Sequence, residues 1–540
     1  MSMLFKSLLR NIGRVPAQIA GRARTPDELL AEARIRFDAD DLGRAQLLCE
    51  EALELDPGHA EALQLLGLAG ARLHDLGFAM EYFERSIQAA PANAAFHNNL
   101  GSILVYSGRT EEAAECFRRA LQLEPGLHAA RTNLISIMML LESAGPEEVL
   151  AEHIAWAQIH ADPLLTQMRP HPNVRDPERR LRIGYVSADF REHALSYFFE
   201  PALALHDSAA FEVSCYHSGR IVDAATRRLR QYAEHWHEIA DLDDAQAAEL
   251  IRSDGIDILV DLSGHLRDNR LLVFARKPAP LQMTYLAYPS TTGMGSIDYR
   301  LSDAVCDPNG SERYYRETLV RLPRCMWCYR PREDMPAVAP SPLQRTGKLT
   351  FASMNRANKV TARMLSLWAS ILAQVPDSRI VLATVPEQGR ARIRDALMQA
   401  GVDASRITFY DLLPTRDFWA LYADIDIVLD TFPCNGGTTT CEAAWLGTPV
   451  VTRSGDRFQS RAGLSILGSL GLDELIAHSD AEYVRVAVDL ARDADRLAAL
   501  RAGLRERMRA SPLTDAPAYA SELERAYRNL WREWCGRVPA

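Results

Sequence analysis

Residues 94–126 read AAFHNNLGSILVYSGRTEEAAECFRRALQLEPG, and this stretch decides the fold of the N-terminal quarter of the chain. It contains two patterns of helical period around a Ser-Gly turn. The prolines Pro57, Pro91 and Pro125 recur every 34 residues, and each ends the second helix of its unit. Small residues recur at the same step, at Ala33, Gly67 and Gly101, which is typical of points where two helices cross closely.

A helix–turn–helix unit of 34 residues has the period of the tetratricopeptide repeat. We expect three such repeats and a partial fourth over residues 28–140, stacked into an α-superhelix, and then a connecting helical segment over residues 141–178. The concave face of such a superhelix holds extended peptide, so protein or peptide acceptors are expected partners. The alternatives are that the repeats brace the rest of the chain or mediate a homo-oligomer.

From about residue 180 onward, short β-branched runs alternate with helical stretches. This alternation predicts parallel sheets that are covered by helices on both faces. The predicted strands are residues 181–187, 211–217, 256–263, 281–288, 348–354, 378–384, 405–411, 424–430 and 448–453.

A proline-rich linker divides this part into two doubly wound halves of similar size. Four prolines fall within residues 331–342, so we place one half at residues 179–330, the linker at 331–346 and the other half at 347–540. Two such halves face each other across a cleft at the carboxyl ends of their strands, where these folds bind ligands. The final helix, over residues 521–534, packs either back across the halves or onto the second half alone.

Composition narrows the class of protein. The chain has 540 residues, of which 47% are hydrophobic and 24% charged, as in a globular protein of several domains. Its formal net charge of −10 argues against a nucleic-acid partner. Nine scattered cysteines indicate a reducing, cytoplasmic setting, and no run is long enough to span a membrane. Residues 1–27 form a basic segment, read as a frayed or capping helix or as a helix on a membrane surface.

The strongest candidate site is DTFPCNGGTTTCEAAWLGTPVVT, residues 430–452. A strand ends at Asp430, the chain turns at Asn435, Gly436 and Gly437, and a helix begins. Such a turn directs backbone N–H groups and the helix dipole at one point, which suits a diphosphate. The hydroxyls of Thr438, Thr439 and Thr440 add donors, and the carboxylate of Glu442 can accept from ribose hydroxyls. The alternative is that the glycines and threonines serve only as turn and N-cap residues.

Three further residues are candidates for chemistry in the cleft. His193 follows the first strand, and a histidine suits a general base near neutral pH, although lone histidines are more often surface or capping residues. Lys359 lies at the start of a helix, where a cation opposes the dipole unless it serves an anion such as a departing diphosphate. Arg356 can serve in the same way, or either cation is a solvated surface charge.

Two groups of possible metal ligands are weaker. Cys325 and Cys328 form a lone C-x-x-C without a second pair at zinc spacing, so we interpret them as structural thiols. His235, His237 and His265 are scattered along the chain. We expect no metal site.

The chain resembles the O-GlcNAc transferase/SPINDLY family, and more closely its SPINDLY branch. The resemblance rests on the repeats followed by GYVSADF…H, ILVDLSGH, KPAP at 277–280, YPSTTG…DYR and DTFPCNGGTTTCE, and covers residues 28–535. It implies a GT-B fold and an inverting protein O-glycosyltransferase that needs no metal. It also implies that residues 179–330 form the acceptor side and residues 347–540 bind a nucleotide sugar.

The resemblance assigns roles to individual residues. His193 matches a histidine proposed as base or acceptor-positioning group, and Lys359 matches the lysine that neutralises the leaving diphosphate. Thr438 and Thr439 match residues at the diphosphate. Glu442 stands where the O-GlcNAc enzymes carry a ribose-binding aspartate.

Three departures from the animal O-GlcNAc transferases fall in the donor site. Phe418 replaces a histidine against the uracil, Gly437 replaces a histidine in the turn, and Arg356 replaces a glutamine near the lysine. The resemblance therefore predicts UDP-GlcNAc as the first donor and GDP-fucose, which plant SPINDLY proteins use, as the second. A repeat scaffold that binds nucleotide sugar without turnover is the alternative from a different class.

Overall fold

The computed structural model describes residues 24–537, so most of the basic segment predicted at residues 1–27 lies outside the described residues. The chain forms two compact units, Met1–Phe96 and His97–Ala540. None of the helices within residues 24–537 combines the length and the apolar character needed to cross a bilayer.

The first unit contains helices that pair as repeats. Helix α1 starts at a capping box, in which the Thr25 hydroxyl accepts from the Glu28 N–H and the Glu28 side chain accepts from the Thr25 N–H. A Cβ on Gly67 would lie 2.4 Å from the Phe83 ring, so only glycine allows this helix crossing. The helices are α1 Pro26–Asp38, α2 Leu42–Leu55, α3 Ala60–Arg72 and α4 Leu76–Ala89.

The second unit begins with four more helices, and we call residues 97–160 the helical region. Gly101 and Phe117 repeat the contact of Gly67 and Phe83 exactly one period later, with 2.6 Å between the ring and an added Cβ. The two helices predicted within residues 94–126, on either side of a Ser-Gly turn, are confirmed. The helices are α5 Ala94–Tyr106, α6 Thr110–Leu123, α7 His128–Met138 and α8 Pro146–His160.

The first half of the remaining structure, residues 181–322, is a parallel sheet of seven strands in the order β3-β2-β1-β4-β5-β6-β7. Helices follow most strands, as the alternating pattern predicts. The strands are β1 Leu181–Ser187, β2 Phe211–His217, β3 His235–Glu238, β4 Ile258–Asp261, β5 Leu281–Thr284, β6 Tyr299–Asp303 and β7 Thr318–Leu322. The helices are α9 Ala194–Ala204, α10 Ala224–Leu229, α11 Asp244–Ser253 and α12 Leu271–Ala275.

The second half, residues 350–509, repeats this architecture with six parallel strands in the order β10-β9-β8-β11-β12-β13. The short helix α13, Pro342–Thr346, precedes it. The strands are β8 Thr350–Ser353, β9 Arg379–Leu382, β10 Ile407–Phe409, β11 Ile427–Leu429, β12 Val450–Arg453 and β13 Ile476–Ala477. The helices are α14 Ala362–Gln374, α15 Glu387–Gln399, α16 Thr415–Ala420, α17 Thr438–Trp445, α18 Ala462–Ser469, α19 Asp480–Arg492 and α20 Ala494–Arg509.

Four of these strands were not predicted. Strand β3 is a polar edge strand, β13 has two residues, and β6 and β7 carry arginines among their apolar residues. Most of the predicted strands are also shorter in the structure, because the sheets twist apart toward the loops at their carboxyl ends. The doubly wound architecture itself is confirmed.

The last helix, α21 Ala516–Gly536, packs across onto the first half, which was one of the two options left by the sequence. The hydroxyls of Tyr527 and Tyr185 are 3.1 Å apart, and Tyr519 and Tyr285 form a second hydroxyl pair. The apolar stripe of α21 therefore completes the core of a half to which it does not belong in sequence.

Candidate active site

The site begins where strand order reverses in the second half. Strands β8 and β11 are neighbours there, although β9 and β10 separate them in sequence. Loops diverge from such a point and leave a crevice at the carboxyl ends of the strands. The crevice receives residues 354–361 from β8 and residues 430–437 from β11.

Asp430 organises the crevice as a buried hydrogen-bond acceptor. One carboxylate oxygen accepts from the Gly436 N–H at 2.7 Å, the Thr431 N–H at 2.8 Å and the Asn355 amide at 3.1 Å. The other oxygen accepts from the Thr452 hydroxyl at 2.7 Å. Burial raises the pKa of Asp430, and these hydrogen bonds oppose that shift. The carboxylate thus fixes the turn that leads into α17.

The N-terminus of α17 is open toward the crevice. Its N-cap residue is Gly437, and no side chain within residues 24–537 caps this end. A Cβ on Gly436 would lie 2.4 Å from the Thr439 hydroxyl oxygen, so the turn requires glycine there. The Thr439 hydroxyl donates to Asn355 at 3.2 Å and the Thr440 hydroxyl to the Gly436 carbonyl at 3.0 Å. The free N–H groups of the first turn, with the half-buried Thr438, form an anion-binding end.

Lys359 reaches this turn from the β8 loop. Its ammonium donates to the Asn435 carbonyl at 2.7 Å. Asn435 is itself buried, with its side-chain amide donating to the Thr431 carbonyl at 2.8 Å. The structure therefore brings the predicted lysine and the predicted turn into direct contact. Arg356, three residues earlier, is exposed.

Glu442 lies one turn into α17 and is 5% exposed. It accepts a hydrogen bond of 2.8 Å from the indole of Trp419. Burial raises the pKa of Glu442 to about 7, an effect that the Trp419 bond opposes and the charge of Glu192 reinforces. Phe418 is half-buried and packs edge-on against Tyr422 at 5.9 Å, so aromatic rings flank the carboxyl.

His193 lies at the carboxyl edge of the first half, between β1 and α9. It is the N-cap residue of α9, and its Nδ1 accepts from the Leu195 N–H at 3.3 Å and lies 3.6 Å from Asp189. The capping role anticipated from the sequence is therefore real, and it leaves Nε2 for other contacts. Burial lowers the pKa of His193; the Asp189 carboxylate opposes this, and the charges of Arg191 and Arg356 add to it.

The two halves place their candidate residues on one cleft. Arg356 of the second half is close enough to His193 to lower its pKa, and Glu192 is close enough to Glu442 to raise its pKa. A cavity of about 300 Å³ opens beside them, lined among others by Glu192, Ser196 and Tyr197.

The weaker candidates lie elsewhere. Cys325 and Cys328 are buried in the core, where burial raises their pKa values to about 11 and about 12. His265 donates to or accepts from the Thr292 carbonyl region of the first half, with its Nε2 at 2.8 Å from that oxygen. Within the described residues, no three His, Cys, Asp or Glu side chains converge as metal ligands.

Two residues of the site were missed from the sequence. Asn355 directly follows β8 and links Asp430 to Thr439, and a polar residue at the end of a predicted strand was the signal available for it. Trp419 follows Phe418 directly, but nothing in the sequence indicates its bond to Glu442, which lies 23 residues away.

Comparison with known proteins agrees with this geometry. The model of glycosyl transferase family 41 matches residues 157–336 and 345–523, and tetratricopeptide models match residues 30–94 and 94–127. The chain belongs to glycosyl transferase family 41. The predicted O-GlcNAc transferase/SPINDLY membership is thereby confirmed, as is the order of repeats followed by two α/β halves.

Relatives of this family 41 chain include plant and animal proteins. The probable UDP-N-acetylglucosamine–peptide N-acetylglucosaminyltransferase SPINDLY of Arabidopsis thaliana is 41% identical over 380 residues, which cover 68% of this chain and 41% of that protein. The UDP-N-acetylglucosamine–peptide N-acetylglucosaminyltransferase of Caenorhabditis elegans is 27% identical, with 67% of this chain and 41% of that protein covered. The chain thus spans about two fifths of the length of these relatives.

One solved structure matches along nearly the whole chain. It is a lysine-to-methionine mutant of the Thermobaculum terrenum O-GlcNAc transferase, with 38% identity and a TM-score of 0.82. The match covers 96% of this chain and 99% of that one, so it includes the helical repeats as well as both α/β halves.

Proposed function

We propose that this chain is an inverting protein O-glycosyltransferase that transfers N-acetylglucosamine from UDP-GlcNAc to serine and threonine hydroxyls. The observation that carries the proposal is the contact of Lys359 with the Asn435 turn, at the uncapped N-terminus of α17 and across the cleft from His193. A cation and free N–H groups at one point, opposite a base, are what glycosyl transfer from a nucleotide sugar requires.

The second half holds the leaving group in this mechanism. The diphosphate accepts from the first N–H groups of α17 and from Thr438 and Thr439. Lys359 has three N–H donors and uses one on Asn435, so two remain for the diphosphate. As the bond between the anomeric carbon and the phosphate oxygen breaks, the charge on the departing nucleoside diphosphate increases, and Lys359 stabilises it.

The first half supplies the acceptor side. The acceptor hydroxyl attacks the anomeric carbon from the face opposite the diphosphate, and its oxygen forms the new glycosidic bond. His193 accepts the hydroxyl proton at Nε2, because its Nδ1 is held by the Leu195 N–H and Asp189. The lowered pKa keeps the imidazole neutral near pH 7, the form that accepts a proton.

The nucleoside lies against α16 and α17 in this arrangement. Glu442 accepts from the ribose hydroxyls, and Phe418 stacks on the base. A phenyl ring offers no hydrogen bond to distinguish uracil from guanine, so Phe418 keeps GDP-fucose as the second candidate donor. Arg356, exposed at the cleft, lies within reach of the donor's charged groups.

We further propose that the repeats hold protein acceptors and that the protein works in the cytoplasm. The matched tetratricopeptide models support the first proposal, and the thiol state of Cys325 and Cys328 supports a reducing compartment. Comparison of KM for a protein acceptor with KM for a short peptide from the same acceptor tests the role of the repeats. Equal values for the two would contradict it.

Binding and turnover test the main proposal in sequence. Thermal unfolding with UDP, UDP-GlcNAc, GDP and GDP-fucose identifies the donor class, because a ligand that binds the native state raises the midpoint. We expect a shift with the uridine ligands. A shift with the guanosine ligands alone would make the chain an O-fucosyltransferase, and a shift without product from any donor would support a binding scaffold.

The Lys359→Met substitution then tests the mechanism. We expect kcat to fall by about 10²–10³-fold, the loss typical of one removed donor at a developing anion. Lys348→Met is the matched control, because Lys348 is exposed at the opposite end of β8. Unchanged turnover in Lys359→Met would remove this lysine from the mechanism.

A further inference from the structure

The loop of residues 454–461, between β12 and α18, binds the helical region through an arginine. The guanidinium of Arg457 donates to the Ala144 carbonyl at 2.7 Å and to the Leu141 carbonyl at 2.9 Å. Both carbonyls lie in the turn between α7 and α8. One side chain therefore ties this loop of the second half to the helices that continue the repeats.

The same loop binds the turn of the candidate active site. The main-chain carbonyl of Gln459 accepts from the Asn435 N–H at 2.9 Å, while its side-chain amide donates to the Met139 carbonyl at 3.4 Å. Asn435 in turn accepts from Lys359. A short series of hydrogen bonds thus connects the helical region to the lysine, and the loop is its middle member.

The first half holds the loop as well. The ring of Phe458 is buried, with the Arg300 guanidinium 4.9 Å above its centroid and the Trp327 ring at 6.1 Å. Arg461 donates to the Val305 carbonyl at 2.7 Å. Three parts of the molecule therefore meet on eight residues that contain no proposed catalytic group.

A second contact of the helical region lies on the other side of Lys359. Gly108, in the turn between α5 and α6, has φ of +74°. A Cβ there would lie 2.9 Å from Arg392 and 3.5 Å from the Ala357 carbonyl. Arg392 donates to the Val360 carbonyl at 3.2 Å, so this turn packs on the loop that carries the lysine.

We propose that Arg457 is a positioning residue for the donor site. By fixing residues 454–461 to the helical region, it holds the Asn435 peptide where Lys359 and the N-terminus of α17 meet the diphosphate. The inference rests on the proposed function, because it takes the Asn435 turn as the diphosphate site. It assigns to the helices after the repeats a second role besides acceptor binding.

Arg457→Ala in the full chain tests this role through three measurements. We expect faster hydrogen exchange of the amides in residues 434–440, because the Asn435 N–H loses a fixed acceptor. We expect the Kd of UDP, and of GDP if that is the nucleotide bound, to rise about tenfold, equivalent to about 1.4 kcal/mol. The KM of a short acceptor peptide should stay unchanged while kcat falls.

Arg528→Ala is the matched control. Arg528 also donates to main-chain carbonyls, those of Pro177 at 2.9 Å and Arg179 at 2.7 Å, but it lies on α21 against the first half. It should leave exchange at residues 434–440 and nucleotide affinity as they are. Arg457→Lys, which can serve one of the two carbonyls, should restore part of the affinity and guards against a variant that fails to fold.

The outcomes separate this inference from the proposed function. Faster exchange without any change in nucleotide Kd or kcat would overturn the positioning role, and so would unchanged exchange in Arg457→Ala. An equal loss in Arg528→Ala would show a general effect of destabilisation and would also overturn it. Failure of the wild-type chain to bind any nucleotide would instead refute the proposed function, whatever the exchange data show.

Discussion

Glu442→Gln should make the protein more stable, although it removes a residue proposed to bind substrate. Burial raises the pKa of Glu442 from 4.5 to about 7, so the folded chain retains a proton that the unfolded chain releases between these values. Each pKa unit corresponds to about 1.36 kcal/mol. The raised pKa therefore costs the fold about 3 kcal/mol at pH 7 and above, and nothing below about pH 4.5, where both states are protonated.

Urea unfolding of the full chain at several pH values between about 4.5 and 8 measures this cost. The free energies of unfolding of wild type and Glu442→Gln should agree at the acid end. They should then diverge, with the variant more stable by about 3 kcal/mol at pH 8. Other titrating groups are common to both proteins and cancel in the difference. Glu506→Gln, at a side chain that is 70% exposed, is the control and should follow wild type at every pH.

A difference that does not change with pH would refute the reasoning, because it would mean that Glu442 carries no raised pKa. The glutamine keeps an acceptor for the Trp419 indole, so loss of that bond does not confuse the result. We also expect nucleotide affinity to fall in this variant, since a ribose hydroxyl bonds more strongly to a carboxylate than to an amide. Greater stability with weaker binding is the mark of a side chain kept for function.

Two further predictions concern the first half. Burial lowers the pKa of His153 to about 3 and that of His265 to about 4, so stability is complete above about pH 6.5 and falls by about 1.4 kcal/mol per pH unit for each histidine as the pH drops. Acid unfolding of His153→Gln should show a shallower slope, and an unchanged slope would exclude His153 as a source. Gly264→Ala should destabilise by at least about 2 kcal/mol, because φ is +53° and the new Cβ would lie 2.2 Å from Tyr288. Its thermal midpoint should fall well below that of Gly503→Ala, where no atom lies within 4 Å of the added Cβ; equal midpoints would contradict the clash.

The parts of the fold that follow from periodicity could be predicted from sequence. The 34-residue step placed helices on both sides of the Ser-Gly turn, and the alternation of strands and helices placed two parallel sheets. Strand β3 escaped because an edge strand such as His235–Glu238 needs no apolar alternation, and β13 because two residues carry no period. Strand order is also absent from local pattern, because it is set by crossovers between distant segments.

The site divides in the same way. The glycines and threonines after Asp430 signalled a turn and an open helix end, since those residue types have few other reasons to occur together. The contacts that hold the site in place are long-range, and one sequence does not encode them visibly. Trp419 at Glu442 and Gln459 at Asn435 each join residues more than twenty positions apart.

Helix α21 bears on how the chain is made. The first half ends at Leu322, and the helix that covers its tyrosines starts at Ala516, 194 residues later by subtraction of the two positions. At about 5–20 residues per second, a ribosome needs about 10–40 s to bridge that interval. During this time the apolar surface around Tyr185 and Tyr285 lacks its cover, so a nascent chain stalled before Ala516 should be a target for chaperones.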